Sequence, residues 1–255
     1  MNMFTKKVKP PVPPEEPPGD RPRGRGRPPG PTLQGLGTRH KLYGTAIDLI
    51  ATKGYDKTTM RDVADAADVS VGLLYRYFPN KRAVVLALYD ELSLEQQSRV
   101  TEMPRGLWRD RFLFTLEASL TVLKPHRRTL SALIPVMVSA EPDGLFGSET
   151  TFSRRRVQQI FQDAVVGAKD APRGELSAAL GRLLYLVHLA VILWWLLDKS
   201  LNQRATSALV ILIKQILPMA ALTMKIRRVG DFVMTGDKLF EQAMLQDNAT
   251  DVPAN

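Results

Sequence analysis

Cysteine is absent from the 255 residues of this chain, and its three histidines lie far apart, at positions 40, 126 and 188. Without cysteine there can be no disulfide, thiolate zinc site or cysteine nucleophile, which fits a reducing compartment. The sequence also has no glycine-rich phosphate loop, no His-x-x-x-His metal pair and no nucleophile elbow. These absences argue against an enzyme, and we expect no metal and no cofactor.

Long apolar runs are scarce as well. The longest covers residues 183–197, which is fifteen residues with His188 inside it, whereas a membrane-spanning helix needs about twenty. The first residues lack the apolar stretch of a signal peptide. We therefore interpret the run as a buried helix, and we expect a cytoplasmic protein without a membrane partner. A peripheral membrane protein is the rival interpretation.

Aromatic residues make up only 7% of the chain, and β-branched residues rarely alternate with polar ones, which disfavours a sheet. Apolar residues make up 44% and recur at helical spacing in the C-terminal two thirds. The composition therefore predicts an all-α protein with a packed core.

The N-terminal segment is basic and rich in proline. Residues 1–39 hold eight Lys/Arg against three Asp/Glu, and residues 1–31 hold ten prolines and four glycines. Such a stretch cannot form a helix or bury a core, so residues 1–37 are predicted to be a disordered arm. Within it, Arg25-Gly26-Arg27-Pro28 resembles the core of an AT-hook, whose arginines enter an A/T-rich minor groove. Arg25 and Arg27 are thus candidate DNA contacts, and a generic basic linker is the alternative.

Order is expected to begin near Thr38. Apolar residues fall on one face of a helix over 39–53, which Gly54 ends. A second short helix is predicted over 59–66, with Thr58 as its N-cap. The chain then turns over 67–69.

Ser70 is predicted to cap a third helix that runs to about Phe78, and Asn80 to cap a fourth over 81–100. Leu74 and Phe78 of the third helix, four residues apart, face inward. Two short helices joined by a three-residue turn form a helix-turn-helix, whose second helix fits the DNA major groove. The residues left for solvent or DNA are Val71, Gly72, Leu73, Tyr75, Arg76 and Tyr77.

This region resembles the tetracycline-repressor (TetR) family over residues 39–83. The resemblance is carried by Gly54-Tyr55, Thr58-Thr59-Met60-Arg61-Asp62-Val63-Ala64, Ala67-Asp68-Val69-Ser70, Gly72-Leu73-Leu74-Tyr75-Arg76-Tyr77-Phe78 and Asn80-Lys81. The rest of the chain is similar to the family only in length and helix count. Where the family turn often has glycine, this chain has Asp68, a residue that tolerates left-handed backbone geometry.

The resemblance implies DNA-contact roles for named side chains. Thr59, Tyr77 and Lys81 would hold phosphates. Val71, Gly72 and Tyr75 would sit nearest the bases, and Arg61 could reach a base or a phosphate. Arg76 is a further candidate because it lies on the exposed face of the predicted third helix. Three alternatives stay open: Thr59 as a helix-start residue, Tyr75 packed on the fourth helix, and Arg61 as a plain surface residue.

One recognition helix reads few base pairs, so we expect a homodimer on a near-palindromic site. The predicted helices over 174–199 and 204–225 are apolar around most of their girth and would pair as a four-helix bundle. Gly181 is small enough for close approach there. The proposed interface residues are Leu184, Val191, Trp195, Leu209, Leu212 and Ile216.

The helices predicted over 106–168 would form an effector chamber, with polar contacts from the helix behind. Its candidate lining residues are Trp108, Phe112, Leu116, Met137, Phe152, Phe161, Tyr185 and His188. Aromatic residues at this spacing are also typical of plain core. The wall chemistry favours a small apolar effector.

The sequence thus predicts an N-terminal three-helix helix-turn-helix domain, residues 38–82, and a larger helical domain for effector binding and dimerisation, residues 83–246. Residues 247–255 are predicted to be a disordered tail. The predicted function is a transcriptional regulator, by family analogy a repressor, that acts on double-stranded DNA at the bacterial nucleoid. The alternative is an architectural DNA-binding protein led by the arginine arm.

Overall fold

The computed structural model describes residues 33–224 and 226–245. Within these ranges every regular element is helical and no strand occurs, which confirms the all-α prediction. Arg25, Arg27 and the predicted tail after residue 246 lie outside the described residues.

The first three helices pack together at the N-terminal end of the described residues. They are α1 (Leu33–Lys53), α2 (Met60–Ala66) and α3 (Val71–Tyr77). Helix α1 begins at Leu33, so the expectation of order only from Thr38 was wrong by five residues. The last proline of the arm is Pro31, and nothing after it in the sequence prevents a helix. The three helices share a core of buried apolar side chains: Leu42, Ile50, Val63, Ala64, Leu74 and Phe78.

Helix α4 (Lys81–Arg99) belongs to both halves of the molecule. Asn80 caps it as predicted, because the Asn80 side-chain oxygen accepts a hydrogen bond from the backbone N–H of Ala83 at 2.8 Å. Val85 and Leu88, nearer its start, are buried in the core shared with α1–α3. The later part of α4 packs against α5 and α8, so a tilt of this helix would be felt at both ends.

Seven further α-helices follow in the part of the chain that the structure describes. They are α5 (Trp108–Leu123), α6 (Arg127–Ala132), α7 (Ile134–Met137), α8 (Thr151–Val166), α9 (Glu175–Leu197), α10 (Arg204–Thr223) and α11 (Arg227–Phe240), which continues into a π-helical turn, Glu241–Leu245. The single helix predicted over 126–140 is in fact α6 and α7, interrupted at Leu133. Pro135, two residues after Leu133, has no N–H for a continuous helix.

The close packing of α9 on α8 depends on Gly181. A Cβ atom built on Gly181 would lie 2.6 Å from the Cα of Gln162 on α8, closer than real Cβ contacts. Gly181 therefore serves an approach inside one protomer, and its predicted role between protomers was wrong.

Two segments, α9 and Leu201–Thr223, are long and apolar enough to span a membrane by length and composition alone. Half of α9 is buried inside the fold, as expected for the core helix predicted there. Only 11% of Leu201–Thr223 is buried, so α10 presents a largely uncovered apolar surface.

Candidate nucleic-acid interface and effector chamber

Helix α3 is anchored on one side and open on the other. The Ser70 hydroxyl caps it by accepting a hydrogen bond from the backbone N–H of Leu73 at 3.2 Å. Leu74 and Phe78 are almost fully buried, as predicted, and fix the helix to the small core. The outward face carries exposed Gly72, Tyr75 and Arg76, with Val71 and Tyr77 half-buried beside them.

The turns that position α3 use left-handed backbone at two places. Asp68, in the turn between α2 and α3, has φ of 53° and keeps that geometry without glycine, as predicted. Gly54, after α1, has φ of 88° and ends that helix.

The start of α2 differs by one residue from the prediction. Its N-cap is Thr59, whose hydroxyl oxygen accepts from the Asp62 N–H at 3.1 Å, while the Asp62 carboxylate accepts from the Thr59 N–H at 2.8 Å. The Thr59 hydroxyl also donates to this carboxylate at 2.7 Å, and these bonds lower the pKa of Asp62 to about 2. Thr58, the predicted cap, is buried and its hydroxyl donates to the Gly54 carbonyl at 2.7 Å.

Lys81, at the start of α4, bridges the three-helix domain. Its ammonium donates to the carbonyl oxygen of Tyr55 and, at 3.0 Å, to that of Thr58. The Lys81 Nζ atom also lies 4.0 Å from the centroid of the Tyr55 ring, and burial lowers the pKa of this lysine. Two of its three donors therefore hold the α1–α2 loop in place.

Arg82 makes an ion-pair cluster that sequence reasoning missed. Its guanidinium lies 3.3 Å from the carboxylate of buried Asp143, 3.8 Å from that of Glu141 and 4.0 Å from that of Glu149. The three acids belong to the loop between α7 and α8, so the cluster ties the start of α4 to that loop. A run of three acids within 141–149 was the only signal in the sequence.

A cavity of about 110 Å³ lies between α4, α5, α8 and α9. Of the predicted lining residues it contains Met137, Tyr185 and His188. Its other lining residues are Tyr89, Leu92, Ser93, Gln96, Ser119, Leu123, Leu130, Leu145, Thr150, Ser153, Arg154, Val157, Leu189 and Ile192. Leu145 and Thr150 belong to the same loop that holds Arg82.

His188 is neutral in this cavity. Burial lowers its pKa to about 3, and its Nε2 atom lies 2.8 Å from the Ser119 hydroxyl oxygen. The Phe161 ring stands 4.6 Å from the imidazole, centroid to centroid.

The other predicted pocket residues do not line this cavity. Trp108, Phe112, Leu116 and Phe161 are buried in an apolar core, where the rings of Phe112 and Phe161 pack 5.9 Å apart between α5 and α8. Phe152 lies on the outer surface, 70% exposed, with its ring 4.4 Å from the Arg156 guanidinium carbon. Helical spacing cannot tell a ring that fills a core from one that lines a void.

The predicted interface residues divide between two faces. Leu184, Val191 and Trp195 of α9 are buried inside the protomer, so their assignment to the surface of this helix was wrong. The outward face of α9 carries Val187, Leu193, Trp194 and Leu197 instead. A helix that is apolar all round shows no sidedness in its sequence.

On α10, Leu212 and Ile216 are each half exposed, as a contact surface requires, and Leu209 is partly buried. Further exposed apolar residues on and beside this helix are Leu201, Ile211, Met219 and Leu222.

Known proteins match this chain over parts of its length. A family profile described as "Bacterial regulatory proteins, tetR family" matches residues 42–88. The Escherichia coli protein named "Probable acrEF/envCD operon repressor" is 43% identical over 65 residues, 26% of this chain and 28% of that protein. The Mycobacterium tuberculosis repressor KstR is 45% identical over 56 residues, 22% of this chain and 26% of its own.

A longer match, 31% identical over 143 residues, joins 54% of this chain to 65% of an HTH-type transcriptional regulator of Mycobacterium bovis. The chain spans about a quarter to two fifths of the length of the curated relatives it matches first. These relatives are named as regulators, in line with the expectation of a non-enzymatic protein.

Solved structures share the fold over most of the chain. A tetR-family regulator from Streptomyces coelicolor superposes with a TM-score of 0.56 at 19% identity, over 80% of this chain and 89% of its own. The fatty acid degradation regulator FadR of Bacillus halodurans gives 0.55 at 18% identity, over 71% and 94%. The profile match over residues 42–88 shows that the helix-turn-helix region is similar to the TetR family of bacterial regulatory proteins, and the solved structures show that the chain shares their fold.

Proposed function

We propose that this protein is a homodimeric, sequence-specific transcriptional regulator, which represses from a near-palindromic operator and is released by a small apolar effector. The observation that carries the proposal is α3: a short helix fixed by buried Leu74 and Phe78, with Tyr75 and Arg76 on its open face. Such a face suits the major groove, which accepts a helix and offers hydrogen-bonding base edges.

DNA contacts are assigned by position on this frame. Val71, Gly72 and Tyr75 approach the bases, and Arg76 reaches a base edge or phosphate. Exposed Arg61 is a second candidate of that kind, and Tyr77 faces phosphates.

Two phosphate contacts take a modified form. The Thr59 hydroxyl proton is engaged by Asp62, and two Lys81 donors are engaged by backbone carbonyls. The first role of both residues is therefore to hold the helix-turn-helix in shape. A DNA phosphate would be bound by the remaining N–H of Lys81 and by backbone N–H groups next to Thr59.

Pairing through the outer faces of α9 and α10 would cover their exposed apolar side chains. Leu212 and Ile216 stand at the centre of this proposed interface, with Trp194 as its aromatic anchor. Two copies then present two α3 helices, which must meet half-sites one helical turn, about 34–36 Å, or a multiple of that apart.

The effector signal would pass through the loop between α7 and α8. This loop contributes Leu145 and Thr150 to the cavity, and its acids hold Arg82 at the start of α4. A ligand that favours one loop position shifts α4, and DNA affinity changes by the ligand's differential affinity for the two states.

Selection of bound DNA from a random pool tests the proposal. We expect an inverted repeat, because a symmetric pair of recognition helices reads both halves alike. A chain truncated to residues 33–255, which keeps α1 whole, serves as the matched comparison. It should recover the same repeat, whereas loss of all specific binding on truncation would favour the arginine-led architectural alternative, and an unstructured consensus would contradict the regulator.

A further inference from the structure

The side chains that line the cavity between α4, α5, α8 and α9 indicate which class of ligand it can hold. We infer that its effector is an uncharged amphiphile: a head with carbonyl-type acceptors binds inside the cavity, and an apolar tail runs into the groove beneath the C-terminal π-helical turn. This inference rests on the proposed function, because it names the ligand class of the same chamber.

Three residues that line the cavity each carry a buried polar atom with no hydrogen-bond partner among the described residues. These atoms are the hydroxyl of Tyr89, the amide nitrogen of Gln96 and Nδ1 of His188. The first two are donors, and Nδ1 also donates when Nε2 accepts the hydroxyl proton of Ser119. Since leaving a buried donor unpaired costs about 1–3 kcal/mol, this cavity favours a ligand that brings acceptors.

The donors are spread along α4 as well as α9. Tyr89 and Gln96 are seven residues apart, two turns of the helix, which corresponds to about 10 Å along its axis. A ligand head with two acceptors could therefore accept from both Tyr89 and Gln96. A head with one acceptor could accept from either of them, and in each case the ligand contacts α4 directly. That engagement falls on the helix whose first turn is held by Arg82.

The cavity wall disfavours an anionic head. Among the described lining residues Arg154 carries the one charge, because His188 is neutral. Its guanidinium already donates to the Gly147 carbonyl at 3.3 Å and to the Thr151 hydroxyl at 3.2 Å. Burying a carboxylate among apolar walls costs far more than burying a ketone or ester.

The size of the cavity requires the ligand to continue elsewhere. At about 110 Å³ it is smaller than the cavity of about 150 Å³ that holds benzene in another protein. A groove of about 770 Å³ adjoins it and shares four apolar lining residues: Met137, Leu145, Leu189 and Ile192.

The far side of this groove is apolar too. Phe146 and Phe240 meet edge to face, 5.9 Å between ring centroids, and Met244 of the π-helical turn lies beside them. A straight alkyl tail that passes between Leu145 and Leu189 would be covered by these side chains. Tail length is then a measurable property of the ligand.

Calorimetric titration of the full chain with 2-alkanones of six to fourteen carbons tests the inference, with 1-alkenes and carboxylates of equal length as comparisons. The ketones should bind at least tenfold tighter than both comparison series. Their affinity should rise about fourfold per methylene until the groove is filled.

Two variants separate head from tail. Tyr89→Phe removes one donor and keeps the shape, so it should reduce the preference for ketone over alkene. Leu189→Trp narrows the passage, and should abolish the gain with chain length while short ketones still bind. Phe152→Ala, on the outer surface, is the control for both and should leave every affinity unchanged.

Carboxylates that bind best, or affinities that do not change with length, would overturn the inference. Operator binding measured in the same samples separates the two proposals. Ketones that bind without weakening the operator complex would overturn release by effector and leave this ligand class intact, whereas an intact operator complex with no ketone binding would overturn the ligand class alone.

Discussion

Tyr75 and Leu74 are adjacent on α3 but differ completely in environment, since Tyr75 is 48% exposed and Leu74 is fully buried. Tyr75→Ala should therefore change DNA affinity and site preference without changing the free energy of unfolding. We expect a loss of about 1–3 kcal/mol at the preferred operator. Phe152→Ala removes an exposed ring elsewhere and should have no effect on the same binding curve. If the variant keeps the DNA site preference of the unchanged protein, Tyr75 is a surface residue that does not contact the bases.

Lys81 tests whether a residue assigned to phosphate binding has a structural role first. Lys81→Met keeps the stem and removes the ammonium that donates to Tyr55 and Thr58. Hydrogen bonds from charged groups contribute about 1.5–3 kcal/mol, so urea unfolding should show a loss in that range. The slope of DNA affinity against salt measures the other role, and a decrease of about one would show that the lysine also meets a phosphate.

The neutral histidine in the chamber makes stability depend on pH. Burial lowers the pKa of His188 to about 3, whereas the unfolded chain binds this proton near pH 6.5. Stability from His188 is thus fully present above pH 6.5 and is lost as the pH falls towards 3. Between pH 7 and pH 5 the loss should be about 2 kcal/mol. Denaturant unfolding of His188→Phe should lack this component, and an identical pH dependence in both proteins would contradict it.

For single residues, the sequence predicted which side chains lie on the open face of α3 better than it predicted which line the cavity. The face follows from a local motif in which cap, turn and buried pair are a few residues apart. The chamber depends on which side of α5 and α8 faces the void, and Phe112 and Phe161 carry no local sign of that choice. The orphan donors Tyr89 and Gln96 were missed because a polar residue on α4 looks like solvent-facing surface until α8 covers it.

Among the helices, the contact of α8 with α9 is the most sensitive to added volume. Gly181→Ala places a methyl group against the backbone of Gln162 and should lower the free energy of unfolding by about 1–3 kcal/mol. Gly44→Ala in α1 is the matched control, because nothing lies within 4 Å of its added Cβ. That change should be neutral or stabilising by about 0.5–1 kcal/mol. Equal effects at the two sites would show that α9 can shift away.

The Arg82 cluster should carry the coupling between the two halves. Arg82→Met breaks its pairs with Asp143, Glu141 and Glu149, and the variant should bind operator but respond several-fold less to effector. Arg99→Met, which breaks the pair with Glu95 at the other end of α4, is the control. Operator affinity measured at rising effector concentration gives both results. A full response in the Arg82 variant would place the coupling elsewhere.

The ends of helices were predictable where the sequence has a capping or helix-ending residue. Ser70, Asn80 and Gly54 begin or end helices as their chemistry requires. The break between α6 and α7 was overlooked although Pro135 marks it. Helix α9 shows the deeper limit, because its side chains are apolar on most faces and the arrangement of the helices packed on it, chiefly α8 and α11, decides which of them become buried.

Among the described residues, α9 and α10 carry a large uncovered apolar surface, and pairing is the proposed use of it. Ile216→Glu should convert the protein from dimer to monomer and weaken operator binding, because a single recognition helix reads half a site. Glu102→Lys, at an exposed position between α4 and α5, alters charge outside this surface and should leave the dimer intact. Sedimentation velocity distinguishes the two states. A dimer that persists with a charge at 216 would relocate the interface.

The nearly bare α10 has a consequence for how a cell must supply this regulator. If only pairs occupy DNA, the active amount grows with the square of the number of chains while they are scarce, so halving synthesis reduces it about fourfold. Dilution during fast growth would then lift repression more sharply than for a protein acting singly. A repressor of this kind would keep its target genes silent only while its own synthesis stays above a threshold.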